Sequence, residues 1–426
     1  MKRYPRLVLS DEKGRLYIHP ELCMLGSSAQ GSRLPIEKEI ISLPKASTLF
    51  FMPGHVAFGY DCLHKCDVLV RQYADKNVFP VAAFPIPGYT RLLLPAAKKL
   101  VSDFNLPLWP YTAVGWHGGR FVISAVQIDG RTRQRPHYYQ DVPLLKKNIR
   151  HALQSFPKNR LFRHLSHCAL TYNCRAAQNL FFHRWEAPLP VSPSCNARCL
   201  GCLSLQDSEC GIASHQRISF VPSAQDIKEV AVFHINNVQH AIVSFGQGCE
   251  GEPLLFYRRL KDAIVRIREA TSRGTIHLNT NAYNPEGLAE LASAGLESIR
   301  VSLNSLYSDR YGRYYRPRGY CFADVLRAIR VAKRKGVFVS LNLLIFPGIS
   351  DAPSEVKKII ALIKEGAVDY LQMRNLCIDP DFYIQSLPKN DEQPIGVLQM
   401  IQAIKKEAPR IRFGYFNLPK ETFNML

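Results

Sequence analysis

The sequence has no apolar stretch approaching the ~18 residues that a membrane-spanning helix needs. Its longest uncharged candidate, Val78 to Thr90, is broken by Pro80, Pro85 and Pro87. A transmembrane helix is therefore excluded, and no membrane partner is expected. The start is basic, but only Leu7, Val8 and Leu9 follow before Asp11 and Glu12, too short an apolar core for a signal peptide. The expectation is a cytoplasmic protein. Internal repeats and low-complexity tracts are also missing, which sets aside solenoids and disordered linkers. Acidic residues are scarce: 35 Asp and Glu stand against 55 Lys and Arg, a net charge of +20. The imbalance is uneven, with 26 basic and 12 acidic side chains in the first 190 residues. Between Arg120 and Arg184, 12 Lys and Arg face only Asp129 and Asp141. Such a span suits RNA, an acidic substrate or an anionic surface, or is simply a solvated basic face.

What is present is material for a sizeable core. Of 426 residues, 46% are hydrophobic, ordinary for a globular chain of about two to three domains. Residues 1–142 read as a mixed α/β domain, with short apolar runs at Leu7–Leu9, Thr48–Met52, Val68–Val70 and Phe121–Val126 between Pro and Gly. A helical basic linker follows over 143–185. From Glu186 the pattern becomes regular. Strand-like runs at Ala187–Val191, Ala241–Phe245, Thr275–Asn279, Ser298–Leu303, Val337–Leu344 and Tyr370–Leu376 alternate with helices. The helices are expected at Ser223–Val238, Leu254–Thr271, Pro285–Ala294, Phe322–Lys335 and Ser354–Glu365, with Ser223 and Ser354 as N-caps. Gly274, Gly295, Gly336 and Gly366 follow four of them where helices stop. Six strands joined by five helices imply a parallel sheet, because each parallel return needs a crossover. The expected fold class is α/β, a partial (β/α)6 TIM-like barrel over 186–380. Residues 381–426 add one helix and one strand, Arg410–Phe416.

Twelve cysteines in a chain without secretory features point to metal or thiol chemistry rather than disulfides, and six lie between Cys168 and Cys210. Cys195, Cys199 and Cys202 are spaced by four and three residues. On a helix they would form one buried stripe, but Pro193, Asn196 and Gly201 argue for a loop, directly after the first strand. Three thiolates on a loop fit an inorganic cluster; zinc with a fourth ligand such as Cys210 or a histidine is the competitor. A [4Fe–4S] cluster held by three thiolates leaves one iron without a protein ligand, open to a substrate.

C-x3-C-x2-C after the first strand of a βα barrel resembles the radical S-adenosylmethionine (radical SAM) superfamily. After the second strand, Gly251-Glu252-Pro253 resembles that family's station for the amino group of SAM. Ser302 and Asn304, at the end of strand four, stand where the family commonly recruits further SAM contacts. The resemblance covers about residues 186–380. It implies a [4Fe–4S] cluster on Cys195, Cys199 and Cys202, with Gly251 and Glu252 orienting SAM. It also implies reductive cleavage to a 5′-deoxyadenosyl radical and an external reductant such as flavodoxin or ferredoxin. One departure is Gly201, where the family commonly has an aromatic residue against the adenine; Leu200 or Leu203 would have to replace it. The substrate is not readable: RNA or a nucleotide, a small metabolite and a peptide are all open. The contrasting reading is a non-catalytic iron–sulfur or zinc protein with a basic docking half. The loop Tyr307–Tyr320, with five tyrosines and four arginines, reads as a lid over the barrel mouth or a surface gripping bases or acids. Cys62, His64, Cys66, His164, His167, Cys168 and Cys174 complete no known ligand set, and Cys249 and Cys377 read as spectators near the mouth.

Overall fold

The computed structural model describes residues 4–100, 105–106, 108–204, 213, 216–389 and 392–424. Seven parallel strands form the sheet that carries the site, in simple chain order. They are β1 (Glu186–Pro188), β2 (Ile242–Phe245), β3 (Thr275–Thr280), β4 (Ser298–Leu303), β5 (Phe338–Ile345), β6 (Tyr370–Asn375) and β7 (Arg412–Gly414). The connecting helices are α1 (Ala224–Asn237), α2 (Tyr257–Ala270), α3 (Pro285–Ala294), α4 (Ser308–Tyr315), α5 (Phe322–Arg334), α6 (Pro353–Lys364), α7 (Pro380–Ser386) and α8 (Val397–Glu407). The six expected strands are all present. The seventh comes from the C-terminal segment, pairing Tyr370 with Arg412 and Gln372 with Gly414, so the barrel sheet continues past residue 380.

Local sequence explains the element ends. Ser223 caps α1, its Oγ accepting from Asp226 N at 3.0 Å while Asp226 Oδ2 accepts from Ser223 N at 3.0 Å. Asn284 caps α3, with Pro285 at the first helical position where a missing N–H costs nothing. Ser354 is not a cap: α6 starts one residue earlier, at Pro353, for the same reason. Strand β1 is shorter than its apolar run because Pro190 cannot donate to a ladder, although Leu189 N still reaches Ser244 O at 2.8 Å. The segment expected as a loop at Tyr307–Tyr320 contains the short helix α4.

Register assigns the two faces of the sheet. Ser244 pairs with His277, Asn279 with Arg300, Ser302 with Asn342, and Asn342 with Gln372. These residues share the concave face. The other face carries Val243, Phe245, Ile276, Leu278, Ile299, Val301, Leu303, Val339, Leu341 and Leu371, all fully buried under the helices. That apolar layer is the main core, and at ~25 cal/mol per Å2 of buried apolar surface it is the chief source of stability. The sheet is not closed. Across its open seam, the Asn417 side chain donates to Glu186 of β1 at 2.7 Å and accepts from Gln372 of β6 at 2.9 Å.

Residues 4–127 build an eleven-stranded antiparallel sheet with small satellite ladders. Where α-helix was expected as well as strand, the described residues before Val142 contain only two 3-10 turns, Glu37–Glu39 and Pro136–Tyr139. Three helices then follow: Val142–Ser155, Arg160–Leu170 and Arg175–Phe181. The antiparallel part packs on the barrel beside β6. Thr90 Oγ1 donates to Met373 O at 2.8 Å, Arg91 N to Asn375 Oδ1 at 2.8 Å and Arg91 Nη2 to Leu376 O at 2.5 Å. No helix among the described residues is long and apolar enough to cross a membrane.

Candidate active site

The cysteine segment has no helix among described residues 189–204, so the three thiols are not a helical stripe. The segment lies over the C-terminal end of the barrel and is bonded from two sides. From one side, Gly251 N donates to Ser192 O at 2.7 Å and Glu252 N to Ser194 O at 2.9 Å. From the other, Arg198 N donates to Tyr315 O at 2.9 Å and Leu200 N to Tyr314 O at 3.0 Å, capping the last carbonyls of α4. The thiols stand close enough to sense one another: burial pushes Cys195 up to about 11, with Glu252 and Cys202 adding their charges. Cys199 is also raised, by burial and then by Cys202 and Cys195. Arg217 Nη2 lies 3.7 Å from Cys202 Sγ, a cation aimed at the thiol group.

Two buried carboxylates brace this loop. Glu250 accepts from Val191 N (2.8 Å), Ser192 N (3.0 Å), Gly246 N (2.5 Å) and Gln247 N (2.9 Å), tying the end of β1 to the loop after β2. Glu252 accepts from Leu254 N (3.0 Å), Thr280 Oγ1 (2.5 Å) and Asn281 N (2.8 Å). Burial raises both carboxyls to about 7 against the pull of these donors. Asn281 continues the chain of contacts, its Nδ2 donating to Asn196 Oδ1 at 2.8 Å inside the cysteine loop. Gly251 has no room for a side chain: a Cβ there would stand 1.9 Å from Ser194 O. At Gly201, a Cβ would meet the Tyr314 hydroxyl at 3.1 Å. Tyr314 thus occupies the space a side chain at 201 would enter, whereas Leu200 is buried and Leu203 is 39% exposed.

Ser302 and Asn304 are placed differently from each other. Ser302 lies on the concave face, its Oγ accepting from Asn342 Nδ2 at 3.0 Å. Asn304 is buried and donates to Arg310 O and Tyr383 Oη, both at 3.2 Å, fastening α4 and α7, while its Oδ1 has no partner. The tyrosines of α4 pack inward: Tyr311 and Tyr315 stack at 4.4 Å and both are buried, as is Tyr314. Arg310 is salt-bridged to Glu355 at 2.7 Å. This helix is a packed cover, with its rings used internally.

Cys210, considered as a fourth zinc ligand, lies outside the described residues. Among the described residues no group of three or more His, Cys, Asp or Glu is arranged to hold a single metal ion. A cubane makes a different demand, since each thiolate binds a separate iron. His64 pairs with Asp61 at 2.7 Å, and Cys62 Sγ stands 3.2 Å from Cys23 Sγ, a proximity their separation in sequence concealed. Several basic side chains of the 120–184 span are spent on aromatic rings: Arg160 on Phe220 (4.1 Å), Arg175 on Tyr139 (4.2 Å) and Arg184 on Tyr138 (3.8 Å).

Residues 189–363 match the family model of the radical SAM superfamily. That match places residues 189–363 in the radical SAM superfamily. The chain is 28% identical over 181 residues to the FeMo cofactor biosynthesis protein NifB of Klebsiella pneumoniae, covering 38% of each chain. It is 24% identical over 231 residues to a GTP 3′,8-cyclase of Helicobacter pylori, covering 52% of this chain and 64% of that one. The matches span less than two thirds of either relative. Among solved structures, the FeFe-hydrogenase maturase HydG of Carboxydothermus hydrogenoformans aligns with a TM-score of 0.39 and 14% identity, covering 66% of this chain and 70% of that one. Members of the superfamily bind a [4Fe–4S] cluster and SAM. The donor set fits them: three thiols on one short loop, a cation beside one, and a glycine pressed against that loop's backbone.

Missed from the sequence were Glu250, the place of Tyr314 beside Gly201, and the inner polar positions of the concave face, among them Ser244, His277 and Arg300. The last had a signal. In Thr275–Thr280, Ser298–Leu303 and Tyr370–Asn375 every second residue is polar, whereas a parallel strand buried on both faces should be apolar throughout.

Proposed function

We propose that the chain is a radical SAM enzyme in which Cys195, Cys199 and Cys202 hold the [4Fe–4S] cluster and Gly251 and Glu252 shape the seat for SAM. The observation that carries this is the bracing of the cysteine loop by Gly251-Glu252 on one side and the α4 carbonyls on the other. A [4Fe–4S] cluster held by these thiolates would supply the one-electron reduction of SAM on which radical chemistry depends. The chain's own residues do the rest. Glu250 and Glu252 fix the loop, Ser302 offers a hydroxyl toward the interior, and Asn304 with Glu355 holds the α4 cover so that water is kept out. Tyr314 stands in for the missing aromatic side chain at 201. An external one-electron donor such as flavodoxin or ferredoxin supplies the reducing equivalent. Residues 1–142 and 143–185 form the accessory parts, the first leaning on the barrel beside β6.

The test is anaerobic. After reconstitution with iron and sulfide and reduction, the EPR spectrum is recorded with and without SAM while 5′-deoxyadenosine is assayed. A [4Fe–4S]+ signal shifted by SAM, with deoxyadenosine formation abolished in Cys199→Ala, is expected. Stoichiometric zinc, or a cluster indifferent to SAM with no cleavage, rejects the proposal in favour of a non-catalytic metal-binding protein.

A further inference from the structure

The concave face of the barrel carries more positive charge than its own residues answer. Arg300 on β4 and Arg374 on β6 both point into it. Arg300 Nη1 donates to the neutral amide Gln372 Oε1 at 3.3 Å, and Arg374 Nη2 to the backbone carbonyl of Tyr415 at 2.8 Å, with its guanidinium over the Tyr415 ring at 4.7 Å. The Nε of each is buried without a hydrogen-bond partner. Glu186 is the carboxylate facing this interior. It accepts from Ser244 Oγ and Asn417 Nδ2 and is shared between Arg300 and Arg133. His277 adds no further positive charge: burial pulls it down to about 4, so it is neutral at pH 7. Asp129, below the seam, is taken by Arg131 at 3.2 Å. Arg374 is thus left with neutral partners, and Arg300 with a share in one acid.

An uncompensated guanidinium inside a protein is costly, and removing such a charge usually stabilises a structure that has no use for it. Both arginines are half-buried rather than sealed in. On β4, β5 and β6 the half-buried residues are Arg300, Ser302, Leu344 and Arg374 on the concave face and, on the other face, only Asn375 at the end of β6. Ser302, Leu344 and Arg374 stand toward the C-terminal ends of their strands, the end that carries the cysteine loop. A planar guanidinium fork matches the two oxygens of a carboxylate or phosphate.

We propose that Arg300 and Arg374 form an oxyanion seat inside the barrel that holds a carboxylate or phosphate group of the substrate. The word substrate rests on the radical SAM reading above; the seat itself does not.

The test titrates inorganic phosphate, and separately malonate, into the full-length iron-reconstituted chain at constant ionic strength, by calorimetry. One of the two is expected to bind with 1:1 stoichiometry, and the one that binds identifies the anion class. Its affinity should fall more than about tenfold in Arg300→Met and in Arg374→Leu, and stay unchanged in the surface variant Arg327→Gln. No binding of either anion, or equal binding in the arginine variants, overturns the proposal. So does competition with SAM, because the arginines would then serve the SAM carboxylate. If an apolar variant fails to fold, Arg374→Lys decides the matter: it keeps the charge, loses the fork and should bind several-fold more weakly, and an unchanged affinity overturns the seat. Deoxyadenosine formation by the unaltered chain is measured in parallel. Its absence would reject the radical reading while leaving the anion result standing, and the two failures are therefore separable.

Discussion

Gly251 shows how a single residue type carries the site. Its missing side chain lets the Glu252 segment lie against Ser192 and Ser194, and a Cβ would strike the Ser194 carbonyl, a backbone atom that cannot swing away. Gly251→Ala is therefore expected to cost ~1–3 kcal/mol and to displace the cysteine loop. Urea unfolding and iron retained per chain after reconstitution check this; a variant with full iron content and unchanged midpoint would contradict it. The three cysteines stand out in the sequence because they fall within one stretch of eight residues after the first strand. The residue that fills the space beside Gly201 could not, because Tyr314 is 113 positions away and reaches it only through the turn of α4.

Among the elements, α4 was misjudged as loop because its sequence, Ser-Asp-Arg-Tyr-Gly-Arg-Tyr-Tyr, is poor in strong helix formers and contains a glycine. Tertiary contacts make it a helix. Tyr311, Tyr314 and Tyr315 bury their rings, and Arg310 enters a buried salt bridge with Glu355 of α6. Glu355 also accepts from Ser305 Oγ and from Leu306 N at 3.0 Å, so it anchors the whole turn between β4 and α4. Glu355→Ala leaves Arg310 charged and unpaired, which should destabilise the fold by ~3–5 kcal/mol in denaturant unfolding. A loss below about 1 kcal/mol would mean that the ring packing alone holds the cover. The regular βα repeats, by contrast, were legible nearly to the residue. Ser298–Leu303 and Pro285–Ala294 match their expected bounds because caps, prolines and glycines act within a few residues.

The whole molecule adds a pH dependence that no single element would give. His234 in α1 and His277 on the concave face are both fully enclosed. Burial pulls them to about 3 and about 4 from an ordinary value of 6.5. His183 adds to the effect on His234, and Glu186 opposes it on both. The unfolded chain binds these protons more readily than the folded one. The stabilisation is therefore full above pH 6.5 and is lost as the pH falls from there toward about 4. Glu250 and Glu252, raised by burial to about 7, take up protons in the same window and offset this loss. The histidine contribution is therefore read as a difference. Thermal midpoints of His234→Leu should fall less, or rise more, than those of the unaltered chain as the pH drops from 6.5 to about 4. Identical pH profiles would assign the acid response to other groups. The sequence by itself determined the parallel βα succession and the cysteine loop, because these rest on periodicity and short-range spacing, and the motif on that loop carried the resemblance to the family. Only the tertiary structure decided the rest. It brought Glu186 and Asn417 together across 231 positions to bridge the seam. It packed an antiparallel sheet beside β6, and it turned scattered polar residues on separate strands into one charged interior. Those outcomes depend on register and on which face each strand presents, and no local stretch of sequence encodes a partner that lies hundreds of residues away.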